Sequence, residues 1–160
     1  MMNNNNRRET IVLKDIEPVF RNFSGEARQY NNAGDRNFNA KVSEAQAQML
    51  RNKGFRIKEM APNAYNDEPS YFLKVKVSYR FDAPNVNLIT SKCTRRLDED
   101  TISELDHMSI EKCDISIVGS HWSQPSGETG VTAYLRSMYA TLREDPLELE
   151  YASMEEEDPF

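Results

Sequence analysis

The chain has 160 residues, of which 38% are hydrophobic and 29% charged, and its formal net charge is −6. This length suits one domain with one hydrophobic core. No apolar run approaches the roughly 20 residues of a membrane-spanning helix, and residues 1–8 lack the apolar segment of a signal peptide. We therefore expect a soluble cytoplasmic protein, with no membrane partner and a disordered lead at residues 1–8.

Charge is distributed unevenly along the chain. Residues 1–96 hold 17 basic and 10 acidic side chains, and residues 97–143 hold 3 basic and 8 acidic ones. Residues 144–160 hold 8 acidic side chains and no basic one. A basic portion followed by an acidic tail is typical of nucleic-acid-binding proteins and of interaction tails. The pattern predicts a folded domain at residues 9–143 and an acidic C-terminal tail at residues 144–160.

Residues suited to catalysis or metal binding are sparse. The two cysteines, Cys93 and Cys113, are isolated, and the only histidines are His107 and His121. The chain has no CxxC, no Gly-rich phosphate loop, no GxSxG and no HExxH motif. We therefore expect reduced thiols, no metal, no cofactor and no enzymatic activity.

The first half of the chain is predicted to form several strands and one short helix. Residues 10–20 and 36–42 have strand-like content, and Ser43 with Gln46 forms the pattern of a helix capping box. That helix is expected to continue to about Lys53, with Gly54 as its terminator. A short strand at residues 55–58 and a loop at residues 61–70 follow.

The clearest predicted strand covers residues 71–81. Apolar side chains from Leu73 to Phe81 alternate with Lys74, Lys76 and Arg80, which indicates one buried and one basic face. The later segments are predicted as strands at 86–96, 113–118 and 131–142, a short helix at 100–108 and a loop at 119–130.

Six or seven strands with two short helices indicate a mainly β fold. Consecutive strands with short helical interruptions favour a small antiparallel barrel. We expect an OB-like β-barrel, with a β-sandwich as the alternative.

The tripeptide Arg-Asn-Phe occurs twice, at residues 21–23 and 36–38, and sets a cation beside an aromatic ring each time. Arginine pairs with phosphate and an aromatic ring stacks on a base, so this arrangement suits a nucleic-acid strand.

Phe38 is favoured as a core residue, whereas Phe23 and Tyr134 fit either core or stacking. Trp122 is the favoured stacking ring, because its predicted loop is polar and Gly-rich. The candidate nucleic-acid-binding residues are Arg21, Phe23, Tyr30, Arg36, Lys74, Lys76, Arg80, Trp122 and Tyr134.

The C-terminus carries the most specific signal, because residues 154–160 read Met-Glu-Glu-Glu-Asp-Pro-Phe. This ending resembles the acidic tip of bacterial single-stranded DNA-binding proteins, and phage replication proteins of that class also end in acids and a terminal Phe. The resemblance implies an OB fold and a tip that recruits replication and recombination enzymes, here through Asp158, Pro159 and Phe160. The long Gly/Pro/Gln-rich linker of the bacterial proteins is missing, which favours a phage or mobile-element version that acts in the cytoplasm of a bacterial host.

The resulting hypothesis is a protein that coats single-stranded DNA without sequence specificity and recruits partners through its tip. RNA as a second ligand and assembly into a homo-oligomer stay open. The alternative is a phage-encoded protein-interaction module, either an inhibitor or a DNA mimic, that docks on a host enzyme. A basic groove would favour DNA binding, whereas an acidic face on the folded body would favour mimicry.

Overall fold

The computed structural model describes the backbone of residues 9–157 and the side chains of residues 9–151. These residues form a mainly β fold with two α-helices and a short 3-10 helix at Ile102–Asp106. The helices are α1 (Glu44–Asn52) and α2 (Pro146–Glu157). The strands are β1 (Thr10–Leu13), β2 (Glu17–Asn22), β3 (Arg36–Val42), β4 (Lys58–Met60), β5 (Ser70–Val77), β6 (Asn85–Ile89), β7 (Thr94–Leu97), β8 (Ile110–Ser123) and β9 (Thr129–Leu142).

The nine strands of the described residues belong to one sheet. Its hydrogen-bonded order is β1-β8-β9-β5-β3-β2, with β4 added to β5 and the β6–β7 hairpin added to β9. Most neighbours are antiparallel, but β9 runs parallel to both β5 and β6. Bulges between Val19 and Asn22 and between Ser116 and Ile117 break the register and increase the local twist.

Strand pairing among the described residues does not close this sheet into a barrel. Its two end strands, β1 and β2, are consecutive in the chain and separated by residues 14–16. Asp15 has a φ of 54°, and Ile16 N–H donates to Cys113 O of β8 at 2.9 Å, so the chain turns there from one end of the sheet to the other. The predicted fold class is therefore confirmed as mainly β, in an open rather than closed form.

The capping box predicted before α1 is confirmed. Ser43 Oγ accepts a hydrogen bond from Gln46 N–H at 3.1 Å, and Gln46 Oε1 accepts one from Ser43 N–H at 2.9 Å. Both bonds satisfy backbone donors that a helix start leaves unpaired. Ala47 and Leu50 then face the core, and Gly54 follows the helix with a φ of 96°.

The core lies on the inner face of the sheet. Alternation along β5 places Leu73, Val75 and Val77 there, and Phe38 of β3 is fully buried beside them. Residues of the 3-10 helix, Ile102 and Leu105 among them, close one end. Burial of each large apolar side chain contributes about 1.5–3 kcal/mol.

Several predicted boundaries are wrong. β5 ends at Val77 rather than at residue 81, and the predicted strand 86–96 is the β6–β7 hairpin, turned where Thr90 N–H donates to Cys93 O at 2.9 Å. The predicted loop at 119–130 is mostly strand, because β8 and β9 stay paired out to Ser123 and Thr129. Long-range pairing decided these boundaries, and local composition does not encode it.

Part of the acidic tail is the helix α2, which contains Leu147, Leu149 and Tyr151. Before it, Glu144 accepts hydrogen bonds from the backbone N–H and the hydroxyl of Ser91 in the β6–β7 turn. The predicted partner-binding residues Asp158, Pro159 and Phe160 lie outside the described residues. No helix among residues 9–157 is long and apolar enough to cross a membrane.

Candidate nucleic-acid interface

β5 displays lysines on the outer face of the sheet. Lys74 and Lys76 are exposed, while Leu73, Val75 and Val77 between them are buried, as the alternation of a strand requires. On one side their register partners are Asn39 and Asn37 of β3. On the other side Lys76 is paired with Tyr134 of β9. A cation and an aromatic ring 58 positions apart in sequence are thus neighbours on one face.

This face is the floor of a wide, open groove with a volume of about 1270 Å³. The loop after β2 forms one wall through residues 30–35, and the segment after β5 contributes residues 78–82. The outer ends of β1 and β8 add Thr10, Val118 and Ser120. The predicted site residues that line the groove are Tyr30, Arg36, Lys74, Lys76, Arg80 and Tyr134.

The lining of the groove carries more positive than negative charge. Its five cations are Arg36, Lys74, Lys76, Arg80 and Arg136, against the three acids Asp35, Asp82 and Glu99. Asp82 lies 3.9 Å from Arg136, but within the described part of the chain Lys74, Lys76 and Arg80 make no ion pair. Three cations are therefore available to an anionic ligand without first breaking an internal salt bridge.

Arg36 is held in place at the groove wall. Its Nη1 donates to Phe23 O at 3.1 Å and to Glu99 O at 3.2 Å, and its guanidinium lies 5.4 Å from the ring centroid of Tyr79. Burial raises the pKa of Tyr79, so its phenol stays neutral. Arginine presents five N–H donors, so this anchored side chain keeps donors for a phosphate.

Two rings in the groove are almost fully exposed. Tyr30 is 90% exposed in the loop after β2, and Phe81 is 91% exposed just beyond β5. The sequence pattern assigned Phe81 to the buried face of a strand ending there, which is wrong because β5 ends four residues earlier. Tyr134 is half-buried on β9. Rings beside cations match the chemistry of an unpaired nucleic-acid strand.

The first Arg-Asn-Phe tripeptide serves the fold rather than the groove. Phe23 has no exposed surface and stacks on Phe38, so it offers no face to a base. Arg21 donates through Nε to Pro18 O at 2.9 Å and through Nη1 to the carbonyl oxygens of Leu105 and Met108. The structure thus corrects the sequence interpretation of Phe23 as a stacking ring. The Arg21 guanidinium is likewise occupied by hydrogen bonds to backbone carbonyl oxygens.

Trp122 lies on the outer part of the β8–β9 hairpin and not in a loop. It is half-buried and register-paired with Gly130, and a Cβ added to Gly130 would lie 2.4 Å from Trp122 Cζ2. The ring therefore packs against a glycine whose missing Cβ leaves room for it. Trp122 is not among the residues that line the groove.

Sequence reasoning missed two groove residues, Arg136 and Phe81. Arg136 is a lone arginine in an otherwise apolar and small-residue strand, and it lines the groove near the bulge that shifts β9 against β8. The alternation along β5 suggested a buried Phe81, and only the actual end of the strand shows otherwise. Val118 and Ser120 of β8, which also line the groove, carried no signal in the sequence.

The described residues show no sign of a metal or redox site. Among them no group of three or more His, Cys, Asp and Glu side chains is placed to hold a metal ion. Both cysteines are free, and burial raises the pKa of the Cys113 thiol to about 12, so that thiol stays protonated.

The sequence matches the model of the family described as "Putative phage ssDNA-binding domain" over residues 1–159. No curated protein sequence matches it. The fold is similar to that of the single-stranded DNA-binding protein from bacteriophage Enc34, with a TM-score of 0.54 and 11% identity over 86% of this chain and 83% of that one. A C-terminal truncation of the Enc34 protein has a TM-score of 0.55 and 10% identity, over 86% of this chain and 88% of that one. The gp2.5 single-stranded DNA-binding protein of bacteriophage T7 has a TM-score of 0.47 and 9% identity, over 96% of this chain and 98% of that one. No conclusion about this chain is drawn from that low TM-score.

Proposed function

This chain belongs to the family of phage single-stranded DNA-binding domains, and we propose that it coats single-stranded DNA without sequence preference through the groove on its sheet. The observation that carries this proposal is the arrangement on the outer face of β5. There Lys74 and Lys76 alternate along the strand, with Tyr134 beside Lys76 and the groove's other cations around them.

The spacing of the lysines suits a polyanion. Side chains two residues apart on one strand face are separated by about 6.6 Å at the usual rise of about 3.3 Å per residue. A flexible single strand brings a phosphate to each of them, and the bound phosphates release counterions. Binding that depends on phosphates carries no information about base sequence.

The aromatic rings of the groove favour binding of single over double strands. Tyr30, Phe81 and Tyr134 present ring surface beside the cations, and a ring stacks only on a base whose face is not covered by its neighbours. Every base has such a face, so stacking tolerates any sequence. A duplex hides these faces in its own stack.

A direct test measures fluorescence anisotropy of a labelled oligothymidylate against the purified protein. We expect tighter binding to the single strand than to a duplex of equal length, and weaker binding at about 200 mM than at about 50 mM salt. Binding that prefers the duplex, or that ignores salt, contradicts the proposal.

The charge of the groove supports DNA binding over the alternative of a DNA mimic. A DNA mimic needs an acidic face on the folded body, whereas five cations and three acids line this groove. Lys74, Lys76 and Arg80, which form no ion pair within the described part of the chain, support an anionic ligand at this surface. Acidic side chains outnumber basic ones outside the groove lining. In the sequence, residues 97–143 hold eight acids and three bases, and residues 144–160 hold eight acids and no base.

We further propose that the C-terminal tip recruits replication or recombination enzymes. This part rests on the sequence alone, since Asp158, Pro159 and Phe160 lie outside the described residues. The ring of Phe160 suits an apolar pocket, and the acids before it steer the approach to a basic surface. Affinity capture from host lysate with wild-type protein and Phe160→Ala tests it. The variant should lose the captured enzymes but bind oligothymidylate as before, and equal capture by both contradicts the proposal.

A further inference from the structure

Phe20 has a backbone conformation that phenylalanine rarely adopts. Its φ is 50°, in the left-handed region that favours glycine, and it lies in the bulge of β2 between Val19 and Asn22. A bulky non-glycine residue there is disfavoured, and such strain concentrates where a side chain must be aimed. The bulge is therefore a candidate device for orienting the Phe20 ring.

The Phe20 ring is supported on one side and exposed on the other. Its centroid lies 5.6 Å from that of Phe72, with the planes tilted by 55°. Phe72 is only 7% exposed, whereas Phe20 is 61% exposed. A ring braced in this way presents a preoriented apolar surface to solvent.

Phe20 lies over the same face of the sheet as the groove. Phe72, Lys74 and Lys76 occupy alternate positions of β5 and so point to one side, and Phe72 is register-paired with Lys41 of β3. The ring of Phe20 contacts Phe72 on that side, before Lys74 and at the opposite end from Phe81. From Phe72 to Lys76 the strand covers about 13 Å.

We propose that Phe20 is an additional stacking platform, which holds an unpaired base of the bound strand beyond the Lys74 end of the groove. The inference rests on the proposed function and extends its binding track across β3 to β2. A single strand whose phosphates follow Lys76 and Lys74 reaches Phe20 next, with Lys41 beside it. The opposite explanation is that Phe20 only shields Phe72 from water.

The test compares Phe20→Ala with Tyr65→Ala by anisotropy, using an oligothymidylate of about 12 nucleotides, within the usual site size of an OB-like fold. Tyr65 is the matched control, because it is 95% exposed in a loop that does not line the groove. We expect Phe20→Ala to weaken binding about 5-fold or more with an unchanged salt slope, since no charge is removed. Tyr65→Ala should bind like the wild type.

Phe20→Gly separates stacking from folding. Glycine accepts a φ of 50° without a Cβ clash, so Phe20→Gly should unfold at a higher temperature than Phe20→Ala, although both uncover Phe72 equally. Both variants should lose the same affinity. Wild-type affinity in a folded Phe20→Gly protein overturns the inference and leaves Phe20 as a cover for Phe72.

A tryptophan probe gives an independent measurement. In a Trp122→Phe background, emission of Phe20→Trp should be quenched by oligothymidylate, whereas emission of Tyr65→Trp should not change. Failure of the proposed function is distinguishable, because the wild-type protein would then not bind the oligonucleotide at all. Binding by the wild type without quenching at position 20 rejects only the role of Phe20.

Discussion

Phe23 and Phe38 stack on each other in the core, with ring centroids 5.0 Å apart and planes inclined by 25°. They are the equivalent residues of the two Arg-Asn-Phe tripeptides, and both are fully buried. The two arginines differ in setting, because Arg21 bonds the 3-10 helix region and Arg36 lines the groove. The repeat is therefore a device of the fold, of which only the second arginine reaches the candidate interface.

Arg21→Ala should lower the free energy of unfolding by about 1–3 kcal/mol, because partly buried carbonyl oxygens of Pro18, Leu105 and Met108 lose their donor. Urea denaturation measures this loss. The salt slope of DNA binding should not change in the folded variant. Arg80→Ala is the control with the reverse expectation, namely wild-type stability and a shallower slope. A shallower slope for Arg21→Ala contradicts the structural role.

Lys76→Ala should weaken binding to all single strands and reduce the salt slope by about 0.7, the value for one phosphate contact on a single strand. Lys112→Ala makes the same chemical change on β8, where Lys112 is 3.9 Å from Asp15 and outside the groove lining. Anisotropy titrations at several salt concentrations measure both slopes. Equal slopes for the two variants would place the DNA on another surface.

Tyr134→Ala should weaken binding by about 1–3 kcal/mol, because a base loses its stacking ring beside Lys76. Tyr134→Phe keeps the ring and should retain most of the affinity. Tyr139→Ala is the position control, because Tyr139 is 44% exposed on the same strand but does not line the groove. The same loss for both alanine variants argues against a specific role for Tyr134.

The fluorescence of Trp122 should change little when wild-type protein binds oligothymidylate. Its ring packs over Gly130 on the β8–β9 hairpin, away from the groove lining, whereas the sequence alone favoured it as the stacking ring. Emission spectra with and without DNA decide between the two interpretations. Strong quenching would extend the interface onto the hairpin.

Deletion of residues 152–160 should tighten binding at low salt. The segment carries four acids and no base, and a tethered polyanion competes with DNA for the groove at a local concentration up to the millimolar range. The gain should shrink as salt screens the charges. Changing Glu155, Glu156 and Glu157 to glutamine keeps the length and should reproduce most of the effect. An unchanged affinity at low salt argues against competition.

Local patterns alone predicted the elements whose causes are local. The capping box of Ser43 and Gln46 needs only residues three apart, and the basic face of β5 follows from strict alternation around Lys74 and Lys76. The mainly β class follows from the number of such strands. The structure preserves these local features because they depend only on nearby residues or on the two-residue period of a strand.

Tertiary structure decided which rings and cations meet. Phe23 stacks on Phe38 in the core and is not available to DNA. Phe81 is exposed because β5 ends at Val77, and Trp122 packs against Gly130. Lys76 and Tyr134 become neighbours only through the parallel pairing of β5 with β9. Such pairings depend on register between distant segments, which sequence periodicity does not encode, since it reports only which face of a strand a residue occupies.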